Sequence, residues 1–216
     1  AKAKPNGCKT RPPSWPICRR ALRHPPFEKG VRLSAPTHYD AVSRALHWLT
    51  AIAVLAAFVL GPEHFGREMH QGLDPATRWD IVTHESLGLL VAALTLLRLL
   101  WLGVRPSAPR FDMPVWMRVS AKATQGFLWL LLLAVPATAL LALGSEGHPL
   151  TLLGGVRLNE MPWIAQSAVA DLADWGEVHG LLGDMILWLS GLHAVAAIYH
   201  HVLLKDGVLR SMLRPR

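Results

Sequence analysis

Four long apolar segments constrain this chain more than any other feature of its sequence. They occupy roughly residues 45–61, 81–103, 120–143 and 178–204. A helix needs about 20 predominantly apolar residues to cross the hydrocarbon core of a bilayer, and each segment is close to that length. Runs such as WLTAIAVLAAFVLG lack the polar stripe at helical spacing that a soluble bundle helix would show. The sequence therefore predicts an all-α integral membrane protein, a bundle of four membrane-spanning helices.

The distribution of charge predicts how this bundle is oriented. Nineteen of the 22 Lys and Arg residues lie before the first segment, after the last one or in the connection between the second and third. To this connection we assign Arg98, Arg105, Arg110, Arg118 and Lys122. Only three lie in the other two connections, at 62–80 and 144–177. By the positive-inside rule, both termini are predicted to be cytoplasmic and these two connections to lie outside. Topology thus accounts for the net charge of +7 without nucleic acid as a partner.

Residues 1–36 differ from the rest of the chain. They are basic and rich in proline, and they show neither helical nor strand periodicity. We predict a cytoplasmic arm that is poorly ordered or bound to a partner, followed by a membrane domain at 37–216. Both cysteines of the chain, Cys8 and Cys18, lie in this arm at a spacing that matches no zinc or redox motif.

Two histidines in the last apolar segment are the strongest indication of function. His179 and His193 are fourteen residues apart, so on a helix they lie about 21 Å apart along the axis and on nearly the same face. Ionisable side chains at membrane depth are rare and usually functional, and imidazole is a common ligand of haem iron. The spacing predicts two metal cofactors at different depths in the membrane.

Two further histidines lie at matching depths in other segments. His47 is near the cytoplasmic end of the first segment and His84 near the outer end of the second. We predict an inner haem between His47 and His193, and an outer haem between His84 and His179. A single histidine near a helix end is more often an interfacial residue than a ligand, but the two matched layers favour haem ligation. Because the chain has no C-x-x-C-H motif, coordination and packing would hold the haems.

Several other residues are candidates for contacts with haem or quinone. Gly88, one turn after the histidine of the second segment, would let a flat macrocycle approach the backbone, although it equally suits helix packing. Arg44 could pair with an inner haem propionate or with a lipid headgroup. His200 and His201 could contact propionates or a quinone, or form a polar helix end. Asp184 is expected to face the bundle or a wet cavity, where it could transfer protons.

Three sequence blocks resemble the bacterial cytochrome b561 family. These blocks are YDAVSRALHWLTA, THESLGLLVAALTLLRLLW and EVHGLLGDMILWLSGLHAVAAIYHHVLLKDGVLRSML, and the resemblance covers residues 38–216. It implies a four-helix cytochrome of the bacterial inner membrane that binds two b-type haems and exchanges electrons with quinone. The axial ligands by motif are His47, His84, His179 and His193. One departure is Gln125, where relatives often have a histidine; we interpret it as a variation beside a haem or on the quinone side.

Two functions follow as expectations. The first is a quinone-linked electron-transfer oxidoreductase, which takes electrons from a periplasmic donor and passes them to membrane quinone; the resemblance implies superoxide as a candidate donor. The alternative is a non-enzymatic haem b subunit or membrane anchor of a larger redox or photosynthetic complex, which would bind its partner subunits through the N-terminal arm or the outer loops. A transporter fits less well because the segments offer few intramembrane carboxylates.

Overall fold

The computed structural model describes residues 38–61, 74–105, 109, 111–158 and 161–213. The predicted arm at 1–36, with Cys8 and Cys18, lies outside these residues. The α-helices are α1 (Ala41–Val59), α2 (Trp79–Val104), α3 (Val115–Ser145), α4 (Pro162–Ala165), α5 (Trp175–Tyr199) and α6 (Val208–Leu213). A π-helical turn, His200–Leu204, continues α5, and short 3-10 turns occur at Pro75–Thr77 and Ala170–Leu172. Strands β1 (Leu150–Thr151) and β2 (Arg157–Leu158) form an antiparallel hairpin.

Four of these helices are long and apolar enough to cross a membrane. They are α1, α2, α3 and α5 with its π-helical extension, and their mean hydropathy lies between 1.7 and 2.3. Apart from the two-residue strands of the hairpin, the regular structure in the described part of the chain is helical. The predicted four-helix, all-α membrane bundle is therefore confirmed.

The helices extend beyond the apolar segments that predicted them. α1 begins at Ala41, where Asp40 caps it by accepting a hydrogen bond from the Ser43 amide at 2.8 Å. α3 begins at Val115, five residues before the predicted start at 120. Hydropathy marks the part of a helix that lies in hydrocarbon, whereas backbone hydrogen bonding and capping residues decide where the helix ends.

The bundle core is a single apolar layer at mid-depth. α1 packs chiefly against α2, and α3 chiefly against α5. The buried side chains that join these pairs are Ala53, Val91, Leu94, Leu131, Leu132 and Ile186. Ile186 lies seven residues from both His179 and His193, and it is the buried residue of α5. The apolar layer consequently lies between the two depths at which histidines were predicted to bind haem.

A small cap closes the end of the bundle that the charge distribution predicts to be the outer one. The buried side chains of Leu143, Leu150, Met161 and Ile164 form its core. α3 approaches α4 so closely at Gly144 that a Cβ there would lie 2.7 Å from the Ile164 side chain. The hairpin is also tied to α2, because the Thr151 amide donates to Glu85 Oε2 at 2.5 Å.

Hydrogen bonds close the opposite end, which is predicted to be the inner one. Trp101 Nε1, near the end of α2, donates to Asp40 Oδ1 at 3.0 Å, so this carboxylate joins the start of α1 to the end of α2. Burial opposes the charged form of Asp40, but hydrogen bonds from Ser43 and Trp101 outweigh this effect and lower its pKa. Trp48 Nε1 of α1 donates to the Met212 carbonyl of α6 at 3.2 Å, which holds α6 beneath the bundle.

Candidate haem sites

The structure brings four histidines together in the two predicted pairs. The ring centroids of His47 in α1 and His193 in α5 are 6.5 Å apart, with an angle of 74° between the ring planes. Those of His84 in α2 and His179 in α5 are 6.2 Å apart, with planes at 90°. All four side chains are half-buried. One face of α5 therefore contributes a ring to each pair.

The spacing of each pair suits one metal ion between two imidazoles. A metal–nitrogen bond to histidine is about 2.0 Å long, so two rings on opposite sides of one metal have centroids roughly 6.4 Å apart. Within the described residues there is no group of three or more His, Cys, Asp or Glu side chains that could hold a metal ion. Two-ligand sites of this kind fit a metal that brings its own equatorial ligands, as haem iron does.

Backbone carbonyls orient both rings of the outer pair. His84 Nδ1 lies 2.7 Å from the Ala57 carbonyl of α1, and His179 Nδ1 lies 3.0 Å from the Val135 carbonyl of α3. Because a carbonyl only accepts hydrogen bonds, each Nδ1 carries the proton and donates. Each Nε2 then has a free lone pair for a metal. Ala57 is in the last turn of α1, where carbonyls lack partners within the helix.

The inner pair lies among arginines. Arg44, one turn before His47, has a buried Nε atom without a hydrogen-bond partner among the described residues. Arg98 interacts electrostatically with both His47 and His193. Cationic groups beside the rings, with no carboxylate paired to them in the described part of the chain, fit a cofactor that carries carboxylates, such as the propionates of haem.

Arg98 is not in the connection to which the sequence analysis assigned it. It lies within α2, half-buried, with its guanidinium carbon 4.8 Å from the centroid of the Trp129 ring on α3. The mean hydropathy of a long apolar segment stays high when the segment contains one arginine. The count of basic residues nevertheless assigned Arg98 to the connection. The correction leaves the charge asymmetry intact, since eighteen of the remaining 21 basic residues are still on the predicted inner side.

Glycines leave open space beside the histidines. A Cβ added to Gly88, Gly180, Gly183 or Gly191 would meet no atom within 4 Å. Such gaps allow a flat ring to approach the helix backbone, as proposed for Gly88. Gly61 is different, because a Cβ there would approach the Nδ1 atom of His84 to 3.6 Å.

The candidates at the inner end of α5 differ from each other. His200 Nδ1 hydrogen-bonds the carboxylate of Asp206, which also accepts from the Val208 amide at 3.1 Å and so begins α6. No hydrogen bond of His201 is found in the described part of the chain. The sequence analysis treated both histidines alike and did not predict the contact between His200 and Asp206, which depends on the turn at Lys205, a residue with a φ of 53°.

Two other residues singled out from the sequence, Asp184 and Gln125, are exposed in the structure. Asp184 is exposed on α5, so the expectation that it faces the bundle was wrong, and the alternative of a wet cavity stays a prediction. Five residues turn a helix through about 500°, which places Asp184 roughly 140° around the axis from His179. Gln125 is exposed on α3 and makes no hydrogen bond within the described residues, so nothing in the structure links it to either pair.

Comparison with known proteins identifies the family. The family model described as prokaryotic cytochrome b561 matches residues 38–215. The chain belongs to this family. A b561-type membrane cytochrome with b-type haem follows from that membership, as the sequence resemblance implied.

Three curated relatives align along most of their length. Cytochrome b561 homolog 2 of Escherichia coli (strain K12) is 28% identical over 188 residues, which cover 83% of this chain and 93% of the relative. "Probable superoxide oxidase CybB" of Yersinia pestis is 30% identical, covering 81% of this chain and 95% of the relative. Cytochrome b562 of Cereibacter sphaeroides is 32% identical, covering 82% and 96%.

The ring planes predict the electron paramagnetic resonance spectrum of the oxidised cytochrome. If the two imidazoles of a pair hold one haem iron, each would raise the iron d orbital with which its π system overlaps. Nearly perpendicular rings raise two orbitals almost equally, so we expect low-spin ferric signals with a very large maximum g value. Low-temperature spectra of the purified protein would show this. Rhombic signals with three well-resolved g values, which parallel rings produce, would contradict the observed ring angles.

Proposed function

We propose that this cytochrome b561 carries electrons across the membrane through two b-type haems, from a periplasmic donor to membrane quinone. The observation that supports this most is the pair of imidazole sites at ring distances of 6.5 and 6.2 Å, at two depths of one helix. In this proposal His47 and His193 are the axial ligands of the inner haem, and His84 and His179 those of the outer haem. The excess of basic residues at the termini and the α2–α3 connection supports an inner-membrane location with both termini cytoplasmic.

The chain's residues would hold the haems rigidly and apart. Haem iron with two imidazole ligands has no open coordination position, so it exchanges electrons without binding a substrate. The carbonyls of Ala57 and Val135 fix the outer rings, which reduces the rearrangement that accompanies a change of charge. The apolar layer around Ile186 separates the two sites, and Gly88 leaves room for the macrocycle beside His84.

His200 is the quinone contact that the structure favours. It follows His193 by seven residues, about two turns, so it continues the same face of α5 into the π-helical turn. The side chains of His200 and Asp206 are only 16% and 15% exposed. The carboxylate of Asp206 fixes the imidazole, whose Nε2 atom can then hydrogen-bond a quinone oxygen. A π-helical turn at this position is also typical of functional sites.

Two observations bear on the donor, and they point in different directions. A relative is named a probable superoxide oxidase, which keeps superoxide as a candidate. The connections at 62–80 and 144–177, however, contain nine Asp or Glu residues against three Arg. A negatively charged surface slows the approach of an anion and attracts cations. The charge therefore favours a cationic donor, such as a basic redox protein.

The ligand assignment is tested by haem content. We expect His47→Ala and His193→Ala each to lower the haem-to-chain ratio from two to one and to remove the same spectral component. His84→Ala and His179→Ala should remove the other component. A pyridine haemochrome assay with quantified protein measures this, with His201→Ala as the control that keeps both haems. A histidine whose alanine variant retains both haems is not a ligand, and one haem per wild-type chain would refute the two-haem proposal.

The quinone contact is tested in liposomes that contain quinone and the purified chain. We expect His200→Ala to slow haem oxidation by quinone about tenfold or more, because a positioned acid–base group commonly contributes at least that much. Haem content and reduction by a donor should stay unchanged. His201→Ala is the matched control, and equal rates for the two variants would exclude His200 as the contact. If the wild-type chain with both haems did not react with quinone at all, the subunit role would be favoured.

The donor is tested by the salt dependence of haem reduction. Rising ionic strength screens surface charge over a Debye length of about 10 Å at 0.1 M. We expect the rate of reduction by superoxide to rise with salt, because repulsion is screened, and the rate with a basic redox protein to fall. Stopped-flow absorbance of the haem bands gives both rates. A superoxide rate that falls with salt would show that this anion is attracted to the outer surface.

A further inference from the structure

The charge of Arg98 lies where the inner haem would be. α2 and α5 run in the same direction, and each begins near the outer end with a histidine of the outer pair. Fourteen residues after His179, α5 presents His193 to the inner site; fourteen residues after His84, α2 presents Arg98. The same spacing returns both side chains to nearly the same face of their helices at the same depth. The electrostatic interaction of Arg98 with both inner histidines agrees with this placement.

The described residues offer Arg98 no carboxylate. Other arginines have identified partners: Arg78 pairs with Asp80 and Arg157 with Asp74. Arg98 instead stacks over Trp129, whose ring face accepts the charge but supplies no carboxylate oxygen to the guanidinium N–H groups. An arginine within a membrane-spanning helix is costly unless an anion satisfies it. The haem propionates are carboxylates, and guanidinium pairs with carboxylates through two parallel hydrogen bonds.

The two histidine pairs differ in the charge that surrounds them. The inner pair has Arg98 on α2 and Arg44 on α1, whose Nε is buried without a partner among the described residues. The outer pair has Glu85, which follows His84 and has a buried Oε1 atom without a partner in the same part of the chain. Reduction of haem adds one negative charge. A fixed cation therefore stabilises the reduced form of a nearby haem.

We propose that Arg98 is a positioning residue of the inner haem, which binds a propionate and makes this haem the one with the higher midpoint potential. The inference rests on the proposed pair of haems and adds the residue that directs electrons inward. Arg98 acts through its charge and does not contact quinone or donor.

The test is a spectroelectrochemical titration of the purified cytochrome, in which the inner haem is the component that His47→Ala removes. In Arg98→Gln we expect the ratio of reduced to oxidised inner haem, at a fixed potential, to fall about tenfold, which is a shift of about 59 mV for a one-electron couple. The outer component should shift much less. Arg98→Lys, which keeps the charge, should retain a potential close to that of the wild type.

Arg118→Gln is the matched control, because it removes one exposed charge from the same inner end of the bundle. An inner potential that shifts no further in Arg98→Gln than in this control would overturn the inference, as would an equal shift in Arg98→Lys. If Arg98→Gln loses the inner haem, Arg98→Lys decides: retention at the wild-type potential supports the inference, and loss overturns it. A single haem component in the wild type would refute the proposed function itself.

Discussion

The bilayer offers no hydrogen-bond partners, and this constraint governs the interior of the bundle. A polar side chain at membrane depth is costly unless the protein, a bound group or water in a cavity satisfies it. His84 and His179 satisfy one ring nitrogen each with a backbone carbonyl, Ala57 and Val135 respectively. The other ring nitrogen of His84 and of His179 has no such partner among the described residues. Neither have Arg44 and Arg98, the arginines beside the inner pair. These unsatisfied groups are gathered at two depths, which is where the proposed haems lie.

α5 is the element on which both sites depend. It contributes His179 and His193 on one face, with Ile186 midway between them in the apolar layer. The other histidine of each pair comes from a different helix, α1 or α2. A shift of α5 along its axis would therefore change both sites together, whereas a shift of α1 or α2 would change one. The outer cap and the α6 contacts restrain the two ends of the bundle against such movement.

The sequence predicted the arrangement of the histidines because helical periodicity and charge topology are both local patterns. The length of the apolar segments predicted the four helices, and the fourteen-residue spacing predicted that His179 and His193 share one face of α5. Arg98 was missed because it was counted as a loop charge, although its spacing from His84 repeats that of the histidines in α5. Asp206 approaches His200 only through the turn at Lys205, and the carbonyls that orient the outer rings carry no side-chain signal. Asp184 was misplaced because charge alone was used, and helical phase was not.

The apolar layer around Ile186 has a consequence for the energetics of transport. The buried hydroxyls of this region, Thr50 and Thr95, donate to carbonyls of their own helices at 2.6 and 2.7 Å. The described core thus contains no chain of polar groups along which a proton could follow an electron. On the proposed route, inward electron transfer would separate charge and oppose a membrane potential that is negative inside, at a cost of about 2.3 kcal/mol per charge for 100 mV. A difference in affinity for electrons between the two haems would have to offset that field.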